Sequence, residues 1–296
     1  MEPDGQLTPP RPSRRRILVR RTVVAVAAVL LLGGATAATL AVHSSSGHAP
    51  PPVTTVRQLR QFKVVFPEGF TRAKMSARVQ SVAKIAEHES HRKVKLSGKT
   101  YAAETAKARK IRGFGAKKLP LEGFLFPDTY DFDRASTSSQ LVGAQLAEFG
   151  SMWSSLNLSY ARSKNLTPYD VLTIASMVEG EAQVPSERPL IAAVIYNRLH
   201  AHMPLQIDAT TRYGLHIPPT QSLTNSELHS SNPYNTRIRP GLPPTPIDNP
   251  GLASLQAAAH PAHVDYLYFV RKPDHRHHYF TANYQDFLNH EAQYGY

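Results

Sequence analysis

Thr167-Pro-Tyr-Asp-Val-Leu-Thr-Ile-Ala-Ser-Met-Val-Glu-Gly-Glu-Ala182 carries a full helix-start signal followed by almost no polarity. Thr167 is a good N-cap, Pro168 suits the first helical position, and Asp170 complements the positive end of the helix dipole. From Val171 onward apolar residues occupy nearly every direction around the axis. That pattern predicts a buried core helix rather than an amphipathic surface one. Glu179 and Glu181 sit in this helix with no Lys or Arg inside it. Glu181 falls on the face of Ile174, Met177 and Val178, and Glu179 falls with Leu172 and Ala175, about 200° away around the axis. The two carboxyl groups therefore point in different directions and are not a close pair.

Burial without a partner keeps a carboxyl protonated. A protonated glutamic acid in an apolar cleft can protonate the leaving oxygen of a glycosidic bond. The competing reading is structural, with ion pairs to Arg188 or Arg198 pinning both groups. Helix pattern alone leaves the two readings open. It also gives no reason for Gly180, a helix-weakening residue, between the glutamates.

Outward from this helix, residues 187–199 (ERPLIAAVIYNRL) predict a second apolar helix ending in Asn197-Arg198. Met203–Gly214 interleaves Gln206, Asp208, Thr210 and Thr211 with apolar side chains. Residues 232–250 (NPYNTRIRPGLPPTPIDNP) hold six prolines in nineteen residues, which stiffen an exposed segment and reduce the entropy it loses on binding. Loops presenting Asn, Tyr and Arg on a stiff backbone suit a groove for a long polar substrate. Upstream, Leu121–Tyr130 (LEGFLFPDTY) packs aromatic residues around Glu122. It reads either as a core strand entering a turn or as an aromatic and carboxylate cluster that holds sugar rings.

Phe62–Phe66 predicts a short strand, Pro67–Gly69 a turn, and residues 71–93 and 101–112 helices with basic, solvated faces. Trp153 and Leu156 read as core packing. His275, His277 and His278, beside Asp274 and Arg276, read as a solvated hairpin loop between strand-like segments rather than a zinc site. There is no internal repeat and no glycine-rich phosphate loop.

The 296-residue chain contains 34 Lys+Arg, 22 Asp+Glu and no cysteine. Disulfides, thiol nucleophiles and cysteine-ligated metals are thereby excluded, and a 41% hydrophobic content excludes a wholly disordered chain. Residues 1–21 have six arginines against Glu2 and Asp4, which is +4 of the net +12 and leaves +8 on the rest. Thr22–Val42 is uncharged and, as a helix, roughly 31 Å long, enough for a bilayer core. The basic flank places residues 1–21 in the cytoplasm and everything after His43 outside. A signal peptide cleaved near Ala35–Ala38 is the competing reading. Such a topology excludes nucleic acid as a partner, and the remaining basic excess would face anionic wall polymers or phospholipid.

The segments LEGFLFPDTYDF, ASMVEGEA, ERPLIAAVIYNRL, MPLQIDATTRYGL and SNPYNTRIRPGLPPTPIDNPGLASLQAAAHPAHVDYLYFV, in this order behind one anchor, resemble the YceG-like (MltG) family. The resemblance runs from about Phe62 to the C-terminus. It implies a membrane-anchored endolytic murein transglycosylase, with the essential second glutamate of the family's I-x-E-x-E pattern falling on Glu181 of Met177-Val-Glu-Gly-Glu181. It also implies that Gln206, Asp208, Tyr234, Asn235 and Thr236 line the cleft; the residue pattern itself adds Glu122 and Glu179 as further substrate-binding candidates.

No cofactor or metal is required by that chemistry. The implied partners are peptidoglycan glycan strands and the cytoplasmic membrane, with penicillin-binding proteins and other cell-wall synthesis or division proteins as further candidates. Members commonly carry a LysM-like domain after the anchor; only about twenty residues separate Val42 from Phe62 here, leaving no room for it there. Other chemistries stay open: hydrolysis with Asp208 or Glu179 activating water, or a non-catalytic, membrane-tethered murein-binding scaffold.

The expected fold is α+β. A cytoplasmic arm (1–21), transmembrane helix (22–42) and Ser/Pro-rich linker (43–57) precede a small α/β subdomain (58–132). A helix-rich catalytic domain (133–296) follows, with short strands near 266–281.

Overall fold

A computed structural model describes residues 60–295. The arm, transmembrane segment and linker expected over residues 1–57 lie outside the described residues. Among the described residues no helix is long and apolar enough to cross a membrane.

The chain runs β1 (Phe62–Val65), α1 (Arg72–Ser90), α2 (Gly98–Thr105), β2 (Arg109–Lys110), β3 (Lys118–Leu119), β4 (Thr129–Phe132), α3 (Ser138–Ser154) and α4 (Ser159–Ser163). It continues through α5 (Pro168–Glu181), α6 (Arg188–His200), α7 (Asp208–Leu215), α8 (Asn225–Leu228), α9 (Leu252–Ala259), β5 (Tyr268–Arg271), β6 (His278–Thr281) and α10 (Tyr284–Tyr294). The strands form three two-stranded antiparallel sheets, β1–β4, β2–β3 and β5–β6.

Apolar side chains gather in two cores. Val64, Phe66, Met75, Val79, Tyr101, Leu121, Leu125 and Phe132 build the smaller, where α1 and α2 cover the β1–β4 pair. Inside it the Tyr101 hydroxyl donates to Gln145 Oε1 at 2.6 Å, so a buried phenol keeps a partner. The larger core surrounds α5, on which every residue from Val171 to Val178 is buried against α6, α9 and the rings of Phe124 and Phe149. Each large side chain there contributes about 1.5–3 kcal/mol on burial. The cores interleave, because Phe114, Phe124 and Phe126 join the larger while Leu141 and Val142 join the smaller.

The start of α5 is as its sequence dictates. Thr167 and Asp170 form a reciprocal capping box with Pro168 in the first turn. The helices expected over 71–93 and 187–199 occupy Arg72–Ser90 and Arg188–His200, and the C-terminal strands fall within 266–281.

Two segments differ from expectation. The helix expected over 101–112 spans only Gly98–Thr105, and Arg109–Lys110 pairs with Lys118–Leu119. Leu121–Phe126 is a buried irregular turn, not a core strand, and the strand begins at Thr129. Its backbone turns at Gly123, with φ +89°, where a Cβ would lie 2.7 Å from both Cβ and Cγ of Pro246. Left-handed strain and overpacking combine at that position. Gly123→Ala is therefore expected to lose about 2–3 kcal/mol, read as a lower urea midpoint at unchanged m-value.

Asn249 stitches the two cores together. Its Oδ1 accepts from Leu125 N at 2.9 Å, and its Nδ2 donates to Phe70 O at 2.8 Å and to Glu122 Oε1 at 2.9 Å. Phe70 and Asn249 also form an isolated antiparallel bridge. This stitch brings the N-terminal end of α1 beside the C-terminal end of α5. At the other side, Asn197 and Arg198 at the end of α6 donate to the carbonyls of Val264, Tyr266 and Leu267, fixing the approach to β5.

Candidate active site

A cleft of about 1190 Å³ opens where α1, α5, α7, the Pro-rich segment and the β5–β6 hairpin meet, and Glu181 lines it. Among the described residues Glu181 makes no ion pair within 4 Å. Burial pushes its pKa up and the charge of Asp208 pushes it further, while Arg271, the Ala209 amide and Arg212 pull it back. A carboxyl that ends a buried helix, reaches a cleft and has no ion pair within 4 Å among the described residues is poised to hold a proton. A second hollow of about 430 Å³, lined by residues including Ser155, Arg188 and His260, has no carboxyl group.

Glu179 has a different environment. Its Oε2 accepts from Ser254 Oγ at 2.7 Å and Gly251 N at 3.2 Å, and its Oε1 lies 3.7 Å from Arg188 Nη2. Arg188 also donates from Nε to Ser254 Oγ, so Glu179 is anchored by a closed set of partners. Of the two structural ion pairs considered for the glutamates, the one to Arg188 exists, at Glu179. Arg198 turns away to donate to Leu267 O, Pro204 O, Leu205 O and Gln206 Oε1.

Gly180 now has a physical account. A Cβ there would stand 3.2 Å from Ala209 Cβ and 3.7 Å from Ile247 Cδ1. The missing side chain lets α7 and the Pro-rich segment close against the end of α5.

Gln206 and Asp208 line the cleft. Gln206, at φ +56°, is held by Arg198 through its side chain and by Thr236 O through its amide. Asp208 Oδ1 receives two bonds from Arg237, at 3.0 and 2.7 Å. Glu122 also borders the cleft, but its oxygens are committed: Oε1 accepts from Arg72 N and Asn249 Nδ2, and Oε2 from Tyr213 OH, each at 2.9 Å. Burial pushes the Glu122 pKa up, against the pull of those donors and of Arg72.

The structure does not bring Tyr234, Asn235 and Thr236 into the cleft lining, which corrects the expectation that they face substrate. Asn235 is fully buried, donating to Leu228 O and Ser230 O and accepting from Thr211 Oγ1 and Arg237 N. Thr236 Oγ1 accepts from Ile207 N and bonds Thr210 Oγ1. Tyr234 bonds Thr245 Oγ1 and packs edge-on against Tyr213. These side chains brace the loop from behind and leave the wall to Ile207, Asp208 and Arg237.

His278 is a second correction. It is buried, not in a solvated loop, and its Nδ1 lies 2.8 Å from Glu187 Oε2 while its amide donates to Glu187 Oε1. Burial pushes its pKa down, outweighing the pull of Glu187. His275 and His277 remain exposed. Sequence reasoning also passed over Asp248, whose carboxyl borders the cleft. Its one local signal is an acid in residues 240–260, where there is no Lys or Arg to pair with it.

A similar fold occurs in a crystal structure of a yceG-like protein from Listeria monocytogenes. That protein superposes with a TM-score of 0.58 at 29% sequence identity, over 77% of this chain and 74% of that one. The endolytic murein transglycosylase of Bacillus subtilis (strain 168) is 40% identical over 158 residues, covering 52% of this chain and 43% of that protein. The endolytic murein transglycosylase of Streptococcus pneumoniae (strain R6) is 36% identical over 183 residues, covering 60% of this chain and 32% of that protein. The chain thus spans less than half the length of these curated relatives. Residues 45–293 match the YceG-like family as a whole, and the chain belongs to that family.

Proposed function

We propose that this chain is an endolytic lytic transglycosylase that cleaves the MurNAc–GlcNAc bond of peptidoglycan strands and helps terminate nascent glycan. The observation that carries this reading is the Glu181 carboxyl in the cleft, without an ion pair among the described residues and with its pKa raised by burial. Protonated Glu181 donates to the glycosidic oxygen as the bond to C1 breaks, giving an oxocarbenium-like transition state. The resulting carboxylate takes the proton of the sugar's own C6 hydroxyl as that oxygen attacks C1. The product is a 1,6-anhydro-MurNAc end, no water is consumed, and Glu181 is returned protonated.

A hydrolase would need a second carboxylate free to deprotonate water. Glu179 is engaged by Ser254, Gly251 and Arg188, and Asp208 by Arg237, which favours the intramolecular route. In this reading residues 22–42 anchor the chain in the cell membrane with the N-terminus cytoplasmic, and the cleft works outside on murein.

Digestion of purified murein by the detergent-solubilised chain tests the reading, with the new sugar ends identified by mass spectrometry. Anhydro-MurNAc ends on long fragments are expected. Reducing ends, heavier by one water, would establish hydrolysis instead, and intact murein would leave a tethered scaffold.

A further inference from the structure

Asp248 is a buried acid that the mechanism above does not use. It is 5% exposed, and its Oδ1 is sealed from solvent with no hydrogen-bond partner among the described residues. Ile247 N donates to Ser176 Oγ at 3.0 Å, which fixes the loop carrying Asp248 against α5. The other oxygen, Oδ2, lies 3.8 Å from where a side chain would begin at Gly69 and at Gly180. Both glycines and Asp248 line the cleft, so no side chain from either glycine position stands against Oδ2 there.

The charged groups facing this carboxyl are Glu179 from α5, Glu122 from the 121–126 turn and Lys74 from α1. Two of the three are acids, and an ionised Asp248 would meet them in a poorly solvated site with Oδ1 unpaired. Burial and those acids push its pKa well above the usual range against the pull of Lys74. A neutral carboxyl instead puts its proton on Oδ2 and presents a single donor to the cleft. An anion would be repelled by Glu179 and Glu122, so the fitting acceptor is neutral. An amide carbonyl is such a neutral acceptor and matches a carboxyl that offers a proton.

We propose that Asp248 is a substrate-positioning acid, donating a hydrogen bond from Oδ2 to the carbonyl of an N-acetyl group on the bound glycan. The proposal rests on the murein reading above.

The test is calorimetric binding of an uncross-linked murein tetrasaccharide to full-length Glu181→Gln protein between pH 5 and pH 9. Turnover is removed, and so is the titration of Glu181. Affinity is expected to fall about tenfold as pH rises, the effect of losing one hydrogen bond. Adding Asp248→Asn, whose amide still donates, should keep the pH 5 affinity within about twofold and flatten the pH dependence. Adding Asp248→Ala should weaken binding about tenfold at pH 5, with a thermal melt confirming that the protein is folded. Because Glu179, Glu122 and Lys74 persist in every variant, an unchanged pH dependence in the Asp248→Asn protein would overturn the proposal. So would full affinity in a folded Asp248→Ala protein. No binding by the Glu181→Gln protein at any pH would overturn the murein reading itself, and this proposal with it.

Discussion

Glu181→Gln is expected to lower the rate of anhydro-end formation by about 10²–10⁴-fold, the usual contribution of a positioned general acid and base. Glutamine keeps the shape of the protonated side chain but can neither release a proton to the glycosidic oxygen nor take one from C6. Glycan binding should persist, since the glutamine side-chain oxygen can still accept from the Ala209 amide and no ion pair within 4 Å runs through Glu181 among the described residues. The loss should therefore appear in kcat with KM nearly unchanged.

Stability gives an independent readout. Glu181 has a folded pKa above its unfolded value, so the native state binds more protons and stability is lost as pH rises through the raised pKa. A neutral glutamine removes that loss. The variant should match the parent near pH 4 and melt at a higher temperature than the parent at pH 8. In the active protein the same raised pKa makes kcat/KM fall with rising pH on a limb above the ordinary carboxyl range. Thermal melts and a pH–rate series on solubilised glycan strands check both signs. A Glu181→Gln protein that cleaves at the parental rate would remove the assignment.

Glu122→Ala is expected to destabilise the fold by about 3–5 kcal/mol, the cost of stranding several buried donors at once. Its carboxyl joins Arg72 at the start of α1, Asn249 in the Pro-rich segment and Tyr213 on α7. Truncation leaves Asn249 Nδ2 with Phe70 O and the weak acceptor Met75 Sδ, and leaves Arg72 N and Tyr213 OH without their carboxylate acceptor. Glu122→Gln keeps one oxygen for Arg72 and Asn249 and turns its amide toward the Tyr213 oxygen, so it should cost far less. Urea denaturation resolves the difference as a large shift in midpoint for alanine and a small one for glutamine. Because Glu122 joins three walls of the cleft, residual folded Glu122→Ala protein should also bind glycan poorly.

The parts of this protein written in local sequence are those governed by neighbours within a few residues. Thr167, Pro168 and Asp170 set the start of α5 by capping geometry, and the apolar run behind them required burial on every side. The chemistry at its end was only half legible. Burial of two acids on opposite faces followed from helix periodicity, but the partner of each did not. Glu179 meets Ser254 across 75 positions of sequence, and Glu122 meets Asn249 across 127. No periodicity reports a contact of that span.

The same limit explains the other differences. Asn235 and Thr236 had the polarity of a binding loop, yet tertiary packing turned both inward to satisfy buried backbone and side-chain groups. His278 shared an exposed-looking histidine run, and only the position of Glu187 made it a buried partner. Gly180 looked like a weak point in a helix until Ala209 and Ile247 were placed against it. Sequence by itself determined the buried helix, its start and the two acids it carries. Tertiary structure alone decided which acid is anchored and which is not, because hydrogen bonds between distant segments, rather than helix periodicity, tie Glu179 to Ser254 and Glu122 to Asn249.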